Sequence, residues 1–435
     1  MFMNFTLSNK EFYRRHNKEL ERYLIEEDSL HLINIKSKNK ITEKKSYKHY
    51  IDLESNGIND LLTIDKKFGV VILTDIVEVT EDLFELFKIV SKLLIPNGKL
   101  VISSINNKWA FILKMFEYFN IKESNKKFSS IHNKRIKNIA SGVGLEFIKS
   151  NSRQLFPFKF IHIGSIINKF LEATFYAFNL GIKTYIILRK ETKEKSNLSK
   201  TIIVPAKNEE GNLQILFDRI PDKSNSEVIF SLGKSKDNTL EVANQIKLDN
   251  PEINIKILEQ SKNGKANAVW EALDQSTGEV IAILDADISV EPETLTDFFE
   301  IIENNHADFV NGTRLIYEME KDAMRYLNKK GNIIFQFFIG LIIKQKLTDS
   351  LCGTKVFKKD FINKIKWWQT SFNLRDPFGD FDLIFTAAFT GQKIIEYPVH
   401  YKSRIYGSTQ IKRFRDGLKL LSYMAKSYFV FNTSK

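Results

Sequence analysis

Residues Glu279–Leu295 read EVIAILDADISVEPETL, an apolar run, Val280–Leu284, that breaks off at Asp285, Ala286 and Asp287. A short apolar run bounded by polar residues predicts a strand buried on both faces, as in a parallel sheet covered by helices. In open α/β sheets ligands collect outside the carboxyl ends of such strands. Two carboxylates two residues apart on an extended segment there can share a divalent ion with phosphate oxygens, and Mg²⁺ or Mn²⁺ is the expected ion. The same acids also read as ordinary turn residues behind a strand, so their surroundings have to decide.

Outward from that strand, apolar runs alternate with helical patterns. TIIVPA (201–206) is followed by a helix from Glu209, EVIFSL (227–232) by a helix from Asn238, and INIKILEQ (253–260) by a helix from Lys265. The succession predicts an α/β fold, a mostly parallel sheet covered by helices. Just upstream, RKETKEKSNLSK (189–200) is polar and without period. It marks a linker, 191–200, between a domain of 1–190 and one of 201–435.

The first half is α/β material as well. FGVVILTDIVEV (68–79), helical DLFELFKIVSKLLI (82–95), the turn PNGK and LVISSIN (100–106) make one strand, helix, strand unit. IKNIASGVGLEFIKS (136–150) reads as helix, glycine turn and strand, and KTYIILRK (183–190) closes the domain as a β-rich run. Neither half repeats at a fixed period, which excludes solenoids and propellers.

Composition bounds the function. With 435 residues, 43% hydrophobic, 35 Phe and 8 Pro, the chain carries folded domains rather than disorder. Its single cysteine, Cys352, excludes an internal disulfide framework and fits a reducing compartment. No run reaches a membrane span, and the N-terminus lacks the apolar core of a signal peptide. The expected location is therefore cytoplasmic. Net charge is +12, all of it in residues 1–200; downstream, 271–320 sum to −12 and 321–435 to +13. An acidic centre followed by a basic tail suits a cation and an anionic ligand held side by side.

The motifs VPAKNEE (204–210), GKANA (264–268), DAD (285–287), NGTR (311–314), LCGTKVF (351–357), GDFDL (379–383) and YGSTQI (406–411) occur in that order. Together they resemble inverting nucleotide-sugar glycosyltransferases of family 2, which have the GT-A fold, and most of all the polyprenyl-phosphate mannose or glucose synthase branch. The resemblance covers residues 201 to about 415. It implies Pro205, Ala206, Glu209, Asp237 and Lys265 at the nucleotide sugar, with Asp285 and Asp287 on the metal and diphosphate. It implies Asp380 as general base toward the acceptor, with Asp382 the second candidate and Gly379 where many members carry Glu. Inversion at an anomeric carbon needs one base and one Lewis acid, with no covalent intermediate. A phosphate acceptor, already ionised, leaves the base little to do and needs cations; Arg314, Lys355 and Arg404 are the candidates. One departure stands out: VIFSLGKSKDNT (228–239) has Leu232 and Gly233 where the family carries an acidic pair, so UDP and GDP stay open.

Residues 69–190 resemble the fourth-to-fifth-strand portion of class I methyltransferases. The Gly-rich cofactor loop is missing, since residues 1–68 hold only Gly57. The expectation is a domain that no longer binds S-adenosylmethionine and serves as a scaffold. The expected function is transfer of a hexose from a nucleotide sugar to a lipid-linked or cell-surface glycan acceptor. The alternatives are an S-adenosylmethionine-dependent methyltransferase and a non-catalytic scaffold or nucleic-acid binder. Nucleic acid is not an expected partner, because the acidic run around Asp285 repels phosphates without a cation.

Two stretches suit a membrane surface without crossing it. NIIFQFFIGLII (332–343) reads as a buried or interfacial helix. The C-terminal IKRFRDGLKLLSYMAKSYFVF puts Phe414, Leu418, Leu421 and Met424 on a helical stripe among Lys412, Arg413, Arg415, Lys419 and Lys426.

Overall fold

A computed structural model describes residues 16–25, 28–33, 49–52, 58–109, 115, 132–153, 171, 179–317, 326–345, 347–404, 406 and 413–432. They fall into two compact units: one runs to Thr192 and includes the end of the last helix from Tyr428, the other runs from Lys193 to Ser427. The stretch expected as linker is tied into the second unit. Ser196 N donates to Glu303 O at 2.9 Å, and Ser199 bonds Glu279 Oε2 through both N and Oγ.

In the first unit the strands are β1 (Ser29–Ile33), β2 (His49–Asp52), β3 (Phe68–Thr74), β4 (Leu94–Ile105), β5 (Leu145–Arg153) and β6 (Lys183–Lys190), with helices α1 (Leu83–Leu93) and α2 (Asn133–Ser141). The sheet order is β2-β1-β3-β4-β6-β5; β1 to β4 run parallel and β6 runs against both its neighbours. The period of two separates its faces. Val71, Leu73, Leu100 and Ile102 pack with Leu86, Phe87 and Val90 of α1, while Val70, Ile72 and Val101 pack with Leu20 and Tyr23. Helix α1 starts where the Asp82 carboxylate accepts Glu85 N at 2.9 Å, satisfying one of the free first-turn donors. The PNGK stretch, expected as a separate turn, falls inside the span of β4, bent through Asn97 at φ 61°.

The second unit contains β7 (Lys200–Ala206), β8 (Ser226–Leu232), β9 (Asn254–Glu259), β10 (Val280–Ile283), β11 (Phe309–Thr313), β12 (Lys355–Lys358) and β13 (Ile394–Pro398). Its helices are α3 (Glu210–Arg219), α4 (Thr239–Asp249), α5 (Lys265–Gln275), α6 (Leu295–Glu303), α7 (Tyr326–Ile343), α8 (Phe361–Phe372), α9 (Asp380–Phe389) and α10 (Arg413–Asn432). The order β13-β11-β12-β10-β7-β8-β9 is parallel except for β12, which runs against β10 and β11. The α/β architecture read from the alternating pattern is therefore the observed one. Ile202, Val204, Phe230, Ala282 and Val356 face a core filled by Phe217 of α3 and Phe298 of α6.

Two helices differ from expectation. On α10, Leu418 (68% exposed) and Leu421 (43%) face solvent, while Leu420, Tyr423 and Met424 are buried. The expected Phe414, Leu418, Leu421, Met424 stripe is thus split between Leu421 and Met424, because the face that packs inward is centred on Tyr423; the Phe414 side chain lies outside the described ones. Lys412 lies outside the described residues. On α7, Ile339, Ile342 and Ile343 are buried, whereas Ile333, Ile334, Phe337, Phe338 and Leu341 lie exposed along one face. Among the described residues no helix is long and apolar enough to cross a membrane.

Candidate active site

Strands β7, β8 and β10 are parallel, so their carboxyl ends share one edge of the sheet. Leu284 N still bonds Ile203 O at 2.9 Å, and the chain then leaves the sheet carrying Asp285 and Asp287. Lys265, the first residue of α5, places Nζ 2.5 Å from Asp285 Oδ1. Arg404 places a guanidinium nitrogen 2.8 Å from Asp287 Oδ2, and Asp287 Oδ1 accepts Ser289 Oγ at 2.6 Å and Ser289 N at 3.1 Å. Burial works against ionisation of Asp285, but Lys265, backed by Lys355 and Arg314, holds its carboxyl below the usual carboxylate range.

Gly353 explains the closeness of the LCGTK loop to this pair. A Cβ there would overlap the Asp285 carboxylate, so only glycine lets the backbone pass. Its neighbour Cys352 is fully buried, and burial pushes its thiol up to about 11, which makes it an inert core residue.

Glu209, at the start of α3, joins the same neighbourhood. Burial pushes its carboxyl up to about 7; Asp287 and Asp285 add to this, while the Asn212 amide, 2.5 Å from Oε2, and Arg404 oppose it. Pro205 and Ala206 end β7 beside it. Asp237 is placed differently: its carboxylate accepts Glu210 N at 3.3 Å, Thr239 N at 3.3 Å and the Thr239 hydroxyl. It ties the first turns of α3 and α4 together.

Asp380 opens α9, preceded by Gly379 at φ +89°, and pairs with Lys355 Nζ at 2.5 Å. A Cβ on Gly379 would lie 3.2 Å from Trp270 Cζ2. The left-handed backbone and that indole together account for glycine where the family often has Glu.

Three further candidates each have partners within the protein. Lys355 is fully buried and pairs with Asp380 and the Cys352 carbonyl. Arg314 gives a bidentate fork to Asp349, at 2.6 and 2.9 Å, and stacks over Tyr401 at 4.9 Å; its charge is already matched. Asp382, fully buried, accepts the Tyr423 hydroxyl, Asp376 N (3.1 Å) and Gln369 Nε2 (3.1 Å). Asp349 and Tyr423 escaped the sequence reading, neither having a local signal, whereas Gly353 stood in LCGTKVF as a position of backbone shape.

Residues 201–366 match the family described as "Glycosyl transferase family 2". The chain is 25% identical over 240 residues to "Dolichol-phosphate mannosyltransferase" of Pyrococcus furiosus, covering 52% of this chain and 62% of that protein. It is 26% identical over 176 residues to "Dodecaprenyl-phosphate galacturonate synthase" of Rhizobium johnstonii, covering 39% and 51%. The match thus spans about half to three fifths of the length of these curated relatives. Among solved structures, glucosyl-3-phosphoglycerate synthase from Mycobacterium tuberculosis, in complex with Mn²⁺, UDP and phosphoglyceric acid, aligns at TM-score 0.41 and 12% identity, over 53% of this chain and 79% of that one. Over residues 201–366 the chain is thus similar to glycosyl transferase family 2.

Proposed function

We propose that the chain is a metal-assisted inverting glycosyltransferase that moves a hexose from a nucleoside diphosphate sugar to a lipid-linked or glycan acceptor. The observation that carries this reading is the array at the sheet edge, where Asp285 and Asp287 meet Lys265 and Arg404. The donor set suits a hard divalent cation. Asp285 and Asp287 offer carboxylate oxygens, and the described residues contain no group of three or more acidic, His or Cys side chains that could enclose a metal alone. Mg²⁺ or Mn²⁺ held by two carboxylates takes its remaining ligands from substrate phosphates and water. When bound, such an ion supplies Lewis acidity to the leaving diphosphate.

The chain's own groups do the rest in this reading. Lys265 and Arg404 can turn from the carboxylates to phosphate oxygens, Glu209 and the end of β7 line the nucleoside side, and Asp380 takes the proton of a hydroxyl acceptor or the last proton of a phosphate monoester, whose second pKa is about 6. The names of the relatives support a polyprenyl phosphate as acceptor. The exposed apolar face of α7 supports contact with the cytoplasmic face of a membrane, where such an acceptor resides. The first unit we read as a methyltransferase-like scaffold that binds no S-adenosylmethionine.

The deciding experiment offers UDP-hexoses and GDP-hexoses with Mn²⁺ or Mg²⁺ and a polyprenyl phosphate in detergent, and follows nucleoside diphosphate release. Metal-dependent release that Asp285→Asn abolishes supports the reading. Undiminished release in EDTA, or none with any donor, sinks it.

A further inference from the structure

Asp380 projects from the first turn of α9, and that turn is built on two other carboxylates. Asp376, 2% exposed, accepts Phe378 N at 3.1 Å and Phe381 N at 2.8 Å, so its two oxygens satisfy donors at the start of the helix. Asp376 N in turn donates to Asp382 Oδ2 at 3.1 Å. Asp382 Oδ1 accepts the hydroxyl of Tyr423, which comes from α10. That hydroxyl itself accepts Trp368 Nε1 at 2.9 Å, which directs its proton to Asp382. The Tyr423 ring packs on Phe381 at 6.1 Å and Phe385 at 5.8 Å.

Three acids within seven residues repel one another unless each charge is matched. Lys355 matches Asp380, backbone N–H groups match Asp376, and Asp382 depends on Tyr423 and Gln369. We infer that Tyr423 is a positioning residue for Asp380: its hydroxyl fixes Asp382, Asp382 fixes the backbone at Asp376, and Asp376 fixes the turn that aims the base. This inference rests on the glycosyltransferase reading and deepens it. A buried acceptor deprived of its donor forces local rearrangement, and a shift of about 1 Å at a catalytic group lowers turnover about a hundredfold. None of these hydrogen bonds involves β7, β10 or α5, although Gly379 in the same turn lies against Trp270 of α5.

The test is a kcat against KM split, measured with the donor the wild type turns over. Tyr423→Phe keeps the ring and removes the hydroxyl. Its expected kcat falls about ten- to a hundredfold, with donor KM and calorimetric nucleoside diphosphate affinity within about twofold of wild type. Gln369→Leu removes the other side-chain donor to Asp382; a smaller kcat loss with the same unchanged affinities is expected, and this variant carries the test if Tyr423→Phe does not fold. Wild-type kcat in both variants overturns the inference, as does a parallel loss of kcat and nucleotide affinity. Asp380→Asn separates the levels. If it is inactive while Tyr423→Phe is fully active, only the positioning role falls; if it transfers at the wild-type rate, the assignment of the base falls too.

Discussion

Lys265 Nζ and Asp285 Oδ1 sit 2.5 Å apart, with the two side chains almost equally exposed, 29% and 30%. The pair is at the edge of the site rather than sealed in the interior. Burial lowers the lysine's proton affinity, but Asp285, Asp380 and Asp287 raise it above the ordinary lysine value, so the ammonium is held charged. A divalent cation approaching Asp285 competes with that ammonium for the same oxygen. Lys265→Met is expected to tighten Mn²⁺ binding in the absence of nucleotide by about tenfold, and to weaken nucleoside diphosphate binding. The free-Mn²⁺ electron paramagnetic resonance signal reads the first effect and calorimetry the second. A variant that binds Mn²⁺ no better than wild type contradicts the competition.

Gly353→Ala pushes a methyl group into the Asp285 carboxylate. The expected cost is about 1–3 kcal/mol of stability, with Mn²⁺ and nucleotide binding lost because Asp285 must turn away. Thermal unfolding and metal titration together check it; a variant with wild-type melting and metal affinity rules out the close approach.

The buried pair Lys355–Asp380 predicts strong coupling. Lys355→Met leaves a nearly buried carboxylate without its counter-charge, and Asp380→Asn leaves a fully buried ammonium with the Cys352 carbonyl alone. Each single change is expected to cost about 3–5 kcal/mol, and the double variant less than the sum. Urea unfolding of the four proteins measures the coupling, and additive losses would show that the two charges do not support each other.

Burial pushes the Asp382 carboxyl up to about 6, although the Tyr423 hydroxyl, Asp376 N and Gln369 pull it down. Its folded value thus lies above the unfolded one, near 4. As pH rises from about 4 to about 6, the unfolded chain releases this proton while the folded chain keeps it, so the group's contribution to stability falls over that window. Asp382→Asn cannot titrate. Its stability relative to wild type should therefore rise by about 2 kcal/mol between pH 4 and pH 6 and level off above. A flat difference across that range, from chemical unfolding at several pH values, counts against it.

On α7, Ile334 and Phe337 are 54% and 62% exposed on one face. Replacing both with Glu should lower co-sedimentation with anionic lipid vesicles at low salt by about tenfold or more, without changing melting. Equal sedimentation of variant and wild type removes this face from membrane contact.

How far the sequence could be read differs between the two halves of the site. Asp285 and Asp287 were legible as candidates because a buried strand ending in two carboxylates is a local pattern, and the helix from Lys265 follows Gly264 at φ 110°. The partners of Lys355 and Arg314 were not legible for a common reason: a basic side chain in a motif looks the same whether it faces a ligand phosphate or a buried Asp. Their partners, Asp380 and Asp349, are 25 and 35 residues away in sequence. The split stripe on α10 has the same origin. Helical spacing put Leu418 and Leu421 beside Met424, while the Tyr423 hydroxyl and ring select which side of the helix turns inward.

The order of apolar runs and helical periods alone determined an α/β chain with a largely parallel sheet, and with it the edge where Asp285 and Asp287 emerge, because both follow from periodicities a few residues long. Only the tertiary structure decided which charges meet, leaving Lys265 and Arg404 partly exposed beside Asp285 and Asp287, burying Lys355 and Asp382, and placing Arg314 on Asp349. Pairing of that kind depends on which distant elements pack together, and the desolvation of each ion depends on what covers it, neither of which a local pattern encodes.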